Sequence, residues 1–282
     1  MFKIVKKDVL NPTVSRIVVE APFAAKKGKP GQFIILRVNE EGERIPLTIA
    51  DADPETGYVT VIYQVVGATT YELNLLNEGD YLLDFVGPLG KPSELEGLKK
   101  VAVVGGGVGC AIAYPIAKAL HKQGTIVHSI VGFRNAALVI LEDEFREVSD
   151  EYIQMTDDGS NGNQGLVTTA LQKLLDGGEE YDEVIAIGPL VMMKFVVQLT
   201  KQYGVKTTVS MNPIMIDGTG MCGCCRLTVG GEMKFACIDG PDFDGFEVDF
   251  DETIKRVGIY RDGEHTRYER ACNLFKKEVE NG

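Results

Sequence analysis

The stretch VAVVGGGVG, residues 101–109, is a short apolar run that ends in glycines, and a helical pattern from Ala111 to Gln123 follows it. A strand, a glycine turn and a helix, in that order, form the context that a dinucleotide loop requires. The glycines let the backbone approach a pyrophosphate, and the helix N-terminus attracts its charge. The match to the strict fingerprint is incomplete: counting from Gly105, the sixth position is Cys110, and the next strand ends in Gly132-Phe133-Arg134 rather than in an acid. A glycine turn needed only for packing would give the same letters.

Working outward, strands at Ile126–Val131, Tyr152–Thr156, Glu183–Ile187 and Lys206–Ser210 alternate with helices near Leu141–Val148, Gly165–Leu175 and Met192–Gln202. That alternation predicts a parallel α/β domain over residues 99–210. Its strand ends carry Gly105, Gly107 and Gly109, then Asp157 and Asp158, then Gly188-Pro189. All of these gather on one edge of a parallel sheet, where ligands bind. Asp157 and Asp158 beside an adenosine ribose would repel a 2′-phosphate, which favours NAD(H) over NADP(H); Arg134 argues the other way.

Before residue 99 the pattern is different. Arg16–Glu20, Gln32–Val38 and Tyr58–Val66 are rich in β-branched residues, and Lys29-Pro30-Gly31, Asp53–Gly57 and Glu78-Gly79-Asp80 punctuate them. About six strands with one short helix after Gly67 predict a small antiparallel barrel over residues 1–98. Within it, Arg44, Pro46, Leu47 and Thr48 sit just before a turn. A guanidinium there suits a diphosphate, and a Thr hydroxyl or backbone N–H suits a flavin ring. Gly67, Ala68, Thr69 and Thr70 open the helix, and a glycine turn into a helix N-terminus is an anion site suited to the pyrophosphate of FAD.

After residue 210 the chain is rich in glycine and cysteine. Asp217, Cys222, Cys225 and Cys237 have the spacing D-x4-C-x2-C-x11-C, which is the plant-type [2Fe–2S] spacing with Asp in the first position. Gly218, Gly220 and Gly223 would let backbone N–H groups turn toward the sulfurs. Two other ligand readings stay open: zinc held by the three cysteines and Asp217, and a set in which Cys224 replaces Asp217. Residues 211–250 are thus read as a metal module, with 251–282 as a tail that is helical at its end and offers a docking element or a helix packed on its own domain.

Bulk properties exclude several classes. The chain has 282 residues, 44% hydrophobic and 25% charged, the composition of an ordinary soluble protein. A net charge of −12 disfavours nucleic acid as partner. No apolar run approaches the roughly 18–20 residues of a membrane span, and the N-terminus lacks a signal-peptide core, which points to the cytoplasm. Among six cysteines, four crowd together while Cys110 and Cys272 lie far off, as expected of a metal site rather than a disulfide framework. His121, His128 and His265 are scattered, and no Ser/His/Asp or paired-carboxylate set emerges.

Barrel, GGGVG domain and terminal cysteine loop together resemble the ferredoxin–NADP reductase superfamily over nearly the whole chain. More narrowly, their order is similar to the electron-transfer subunits of class-B dihydroorotate dehydrogenase and of NADH-dependent ferredoxin:NADP oxidoreductase. The resemblance implies FAD at Arg44, Pro46, Leu47, Thr48 and Gly67–Thr70, and a nicotinamide nucleotide at Gly105, Gly107, Gly109, Asp157 and Asp158. It also implies a larger flavin and iron–sulfur partner subunit, with ferredoxin reached through the complex and electron bifurcation as the activity of the whole. Asp217 in place of the first cysteine looks like the ferredoxin:NADP enzyme rather than the dihydroorotate one.

Overall fold

The computed structural model describes residues 1–260, 263–264 and 266–269. His265, Cys272 and the end of the tail, which the sequence reads as helical, lie outside the described residues.

The first part is a seven-stranded antiparallel sheet that nearly closes into a barrel. Its strands are β1 (Phe2–Asn11), β2 (Val14–Glu20), β3 (Phe33–Arg37), β4 (Ile45–Asp53), β5 (Tyr58–Gln64), β6 (Tyr81–Leu82) and β7 (Asp84–Leu89). The order is β6-β1-β2-β5-β4-β3-β7, so the two ends of the sheet are consecutive in sequence and meet at Leu83. The Leu83 N–H donates to the carbonyl of Arg37, which helps draw the seam together. Alternate side chains point inward, and Ile4, Ile17, Val19, Ile34, Leu36, Val61 and Tyr63 fill the interior.

Two helices serve this barrel, not one. Besides α2 (Ala68–Leu75) there is α1 (Pro22–Lys27), which sets Ala24 and Ala25 into the core. Six residues are too few to show a helical period, and Pro22 in the first turn is its only local signal.

The second part is a sheet ordered β10 (Glu151–Thr156), β9 (Ile126–Phe133), β8 (Lys100–Gly106), β11 (Glu183–Ile187), β12 (Thr207–Ser210) and β15 (Asp242–Asp244). The first five of these strands are parallel and are interleaved with α3 (Cys110–Lys122), α4 (Glu142–Glu147), α5 (Val167–Asp176) and α6 (Leu190–Tyr203). β8 lies in the middle with Val101 to Val104 wholly buried, as expected of a strand covered on both faces.

After β12 come β13 (Arg226–Val229) and β14 (Glu232–Phe235), which pair as a hairpin, then α7 (Ala236–Asp239), β15 (Asp242–Asp244) and α8 (Phe250–Val257). β15 is the one antiparallel strand of the six-stranded sheet, joined to β12 with Ser210 opposite Asp242. The cysteine-rich region is therefore not self-standing. Cys225, Leu227, Cys237 and Phe250 share one core with Phe33 and Ile35 of the barrel and Val196 of α6. Among the described residues no helix is long and apolar enough to cross a membrane.

Candidate functional site

The structure brings two groups of sequence-predicted residues together, the barrel rim and the start of the cysteine loop, through the bond from Arg44 to Ile216 and the approach of Gly218 to Leu89 and Ile35; the glycine turn and Asp157–Asp158 lie on the parallel sheet. On the barrel, Pro46, Leu47 and Thr48 lie half-buried on β4, opposite Ile35, Ile34 and Phe33 of β3. Arg44 precedes them, and its Nη1 lies 3.7 Å from Asp84 Oδ2. The same carboxylate takes Arg37 Nε at 2.8 Å. At the start of α2, the Thr70 hydroxyl accepts from the N–H groups of Val66 and Gly67, both at 3.0 Å. That ties the turn and leaves the next N–H groups at the open end of the helix. Thr69 Oγ1 donates to Glu43 Oε2 at 3.4 Å, so the helix start and the Arg44 segment form one rim. A Cβ on Gly67 would meet nothing within 4 Å. A positive side chain and an open helix N-terminus on the same rim suit the diphosphate of FAD.

On the parallel sheet the glycines divide by role. A Cβ on Gly109 would sit 2.6 Å from the Ile187 carbonyl oxygen, and one on Gly105 2.9 Å from Cys110 Sγ. Gly106, which the sequence did not single out, is equally tight: its Cβ would lie 2.3 Å from Met192 Sδ and 3.1 Å from Pro189. These three let α3 and α6 close onto the strand ends. Gly107 differs, with φ +56° and open space where a side chain would go. A dinucleotide loop would require such open space at the turn.

Asp157 and Asp158 lie exposed at the end of β10, two strands from the glycine turn. Asp158 Oδ1 accepts from the N–H and hydroxyl of Ser160 at 2.9 and 2.6 Å, and these bonds hold its carboxyl below the usual range. The Ser160 hydroxyl also takes the N–H of Ala136, tying this loop to the one after β9. Asp158 thus shapes the loop, and Asp157 is the carboxylate left facing outward.

In the cysteine loop, Gly218, Gly220 and Gly223 have φ of +82°, +84° and +67°. A Cβ on Gly218 would come within 2.7 Å of Leu89 and 3.0 Å of Ile35, so the loop is pressed onto the barrel wall. Cys225 and Cys237 are both buried, with Sγ atoms 3.2 Å apart. Burial, with the hydrogen bond to Cys225 next in weight, pushes the Cys237 thiol up to about 12. A thiolate here therefore needs a cation beside it, as a bound metal would supply.

Cys222 is exposed, and its thiol is held below the ordinary value by the backbone N–H of Cys224 first, and also by that of Asp217. Its hydrogen bond to Cys224 pushes that second thiol up. The N–H of Gly220 reaches Cys237 in the same way. Backbone N–H groups aimed at sulfur suit an anionic cluster.

Asp217 Oδ2 accepts from the Thr219 hydroxyl, from the Thr219 N–H at 2.9 Å and from the Met221 N–H at 3.4 Å. The Thr219 bonds hold its carboxyl low, and the Arg44 charge adds to them. Among the described residues no three His, Cys, Asp or Glu side chains gather as one metal ion requires. Cys225 and Cys237 form a buried pair of sulfurs, while Cys222 is exposed and Cys224 half-buried, so Cys225 and Cys237 could share one side of a cluster and Cys222 the other. Cys110 is buried under the glycine turn, where burial pushes its thiol far up. His128 meets the Tyr181 hydroxyl at 2.9 Å inside the fold, a packing role.

Comparison with known proteins gives relatives over nearly the whole chain. A family model, the iron–sulfur cluster binding domain of dihydroorotate dehydrogenase B, matches residues 212–249. The dihydroorotate dehydrogenase B (NAD(+)) electron transfer subunit homolog of Thermotoga maritima is 50% identical over 95% of this chain and 94% of its own. The dihydroorotate dehydrogenase B electron transfer subunit of Shouchella clausii is 34% identical over 87% and 96%. A chain from the solved NADH-dependent reduced ferredoxin-NADP oxidoreductase, studied for flavin-based electron bifurcation, superposes with a TM-score of 0.90 at 49% identity, covering 96% of this chain and 97% of that one. The chain belongs to the family of dihydroorotate dehydrogenase B electron-transfer subunits and their homologues, and is an oxidoreductase subunit.

Proposed function

We propose that this chain is the cytoplasmic NAD(H)-, FAD- and [2Fe–2S]-carrying subunit of a heteromeric NADH-dependent ferredoxin:NADP oxidoreductase, which relays electrons to a larger flavin and iron–sulfur subunit. The observation that carries the reading is the seating of the cysteine loop. Gly218 lies against Leu89 and Ile35, and Ile216 is hydrogen-bonded to Arg44, so the candidate cluster ligands abut the candidate flavin rim. When bound, a flavin trades electron pairs with a nicotinamide and single electrons with a cluster.

The residues supply the rest. Arg44 and the N-terminus of α2 would neutralise the diphosphate, and Pro46, Leu47 and Thr48 would contact the flavin from β4. Gly107 leaves room for the dinucleotide at the start of α3, and Asp157 disfavours a 2′-phosphate. Cys225 and Cys237, both buried, and Cys222 and Asp217 would hold the cluster, with Cys224 as the rival fourth ligand.

A second reading is favoured by the family model over residues 212–249: the partner would be a dihydroorotate dehydrogenase subunit. Isolation of the native complex separates the two. Under the first reading the larger subunit carries flavin and iron–sulfur centres and the complex couples NADH to ferredoxin and NADP. A larger subunit that carries FMN and oxidises dihydroorotate would establish the second.

A further inference from the structure

Arg44 faces two sites with one side chain. It stands at the head of β4, next to Glu43, which binds Thr69 at the start of α2. Its own Nε, however, donates to the carbonyl oxygen of Ile216 at 3.1 Å, 172 residues away in sequence and one residue before Asp217. A guanidinium carries five N–H donors in a planar fork, so one bond to a carbonyl leaves donors for an anion. Asp84, 3.7 Å from Nη1, is drawn mainly to Arg37 and offsets the Arg44 charge only in part. About a third of the Arg44 side chain is exposed (32%), so its charge is only partly screened by solvent.

We infer that Arg44 belongs to both redox sites: its charge retains the flavin diphosphate and, through the Ile216 carbonyl, it fixes the start of the cluster loop and raises the cluster's reduction potential. The inference rests on reading the two loops as flavin and cluster sites, and adds to that reading a single residue that acts on both. The sign follows from charge. On reduction the cluster gains one electron, and a nearby cation favours the more negative form. Removing the cation therefore lowers the potential, and removing the carboxylate that offsets it raises the potential.

The test is a redox titration of the cluster by electron paramagnetic resonance, on full-length reconstituted protein in flavin-free and FAD-loaded forms. In flavin-free protein, loss of bound flavin cannot be the cause of a shift. Arg44→Gln is expected to disfavour cluster reduction about tenfold in the flavin-free form, ~59 mV for one electron. Arg44→Lys, which keeps the charge, stays within about twofold of wild type, or ~18 mV. Asp84→Asn moves the midpoint upward. FAD retention falls about tenfold in Arg44→Gln. A flavin-free Arg44→Gln protein with the wild-type midpoint would overturn the inference while leaving the flavin and cluster reading intact, since Arg44 would then serve the flavin alone. Should that variant fail to assemble a cluster, an unmoved midpoint in Asp84→Asn overturns it equally. Wild-type protein that takes up neither iron nor flavin would overturn the underlying reading itself.

Discussion

Replacing Gly109 with alanine tests how the glycine turn is built. The new methyl carbon would lie 2.6 Å from the Ile187 carbonyl oxygen and 2.7 Å from Gly188 Cα, where ordinary contact begins at 3.4 Å. Both neighbours are backbone, so α3 and the end of β11 must part by about 0.8 Å, an overpacking that costs about 1–3 kcal/mol. Gly109 has φ −59° and ψ −21°, a conformation alanine accepts, which returns at most about 1 kcal/mol. The expected net loss is about 1–2 kcal/mol, a fall of roughly 2–8 °C in Tm for a chain of this size. Gly107→Ala makes the contrast. Its methyl meets nothing, so the cost is the left-handed backbone alone, about 1–2 kcal/mol, but the methyl stands in the open space of the turn. Thermal unfolding and NADH titration, read by flavin bleaching, should show Gly109→Ala losing stability through a steric clash. Gly107→Ala should lose NADH affinity at least tenfold. Unchanged unfolding of Gly109→Ala, or wild-type NADH affinity in Gly107→Ala, would refute this division of roles.

Asp242 gives a pH dependence. Its carboxyl is raised by burial above all; hydrogen bonds from Ser93 and Ser210 oppose the shift and the Glu183 charge adds to it. A raised acid keeps its proton in the folded state where the unfolded chain has released it. Its contribution is therefore full below the unfolded value and lost as pH rises through the folded one. Asp242→Asn should exceed wild type in urea midpoint at pH 8 and match it at pH 4; a pH-independent difference would show the shift to be absent. Cys225→Ser and Cys237→Ser should each lose most iron and the visible absorption, whereas Cys224→Ser should retain both; iron loss in Cys224→Ser would make that residue the fourth ligand in place of Asp217. Asp157→Asn should raise the preference for NADPH relative to NADH about fivefold, ~1 kcal/mol, by removing one repulsion from the 2′-phosphate, measured as the ratio of kcat/KM values.

The parallel sheet is readable because its signals are local: β8 is a continuous apolar run, and α3, α5 and α6 are long enough to show their own period. Three of the seven barrel strands, β2, β3 and β5, stand out as β-branched runs between turns. What was not readable depends on packing. β15 has three residues and exists because Asp242 to Asp244 meet β12. The glycine run gave no hint that Gly106, rather than Gly107, would lie against Met192 and Pro189, because those neighbours come more than eighty residues later. The same holds at the site. Arg44 and the cysteine spacing could be picked out singly, but the bond between Arg44 and Ile216, and the hold of Ser93 on Asp242 at 2.5 Å, join segments that no window of sequence spans.

The proposed relay requires that one polypeptide hold a flavin and a two-iron cluster close enough to exchange electrons. Anaerobic purification followed by a visible spectrum, with iron, sulfide and zinc analysis before and after NADH and NADPH are added separately, tests it most directly. The expected result is about one FAD, two irons and two sulfides per chain, with NADH bleaching flavin and cluster absorption together and NADPH doing so less well. A folded, colourless protein that contains zinc, or neither iron nor flavin, and that NADH leaves unchanged would contradict it.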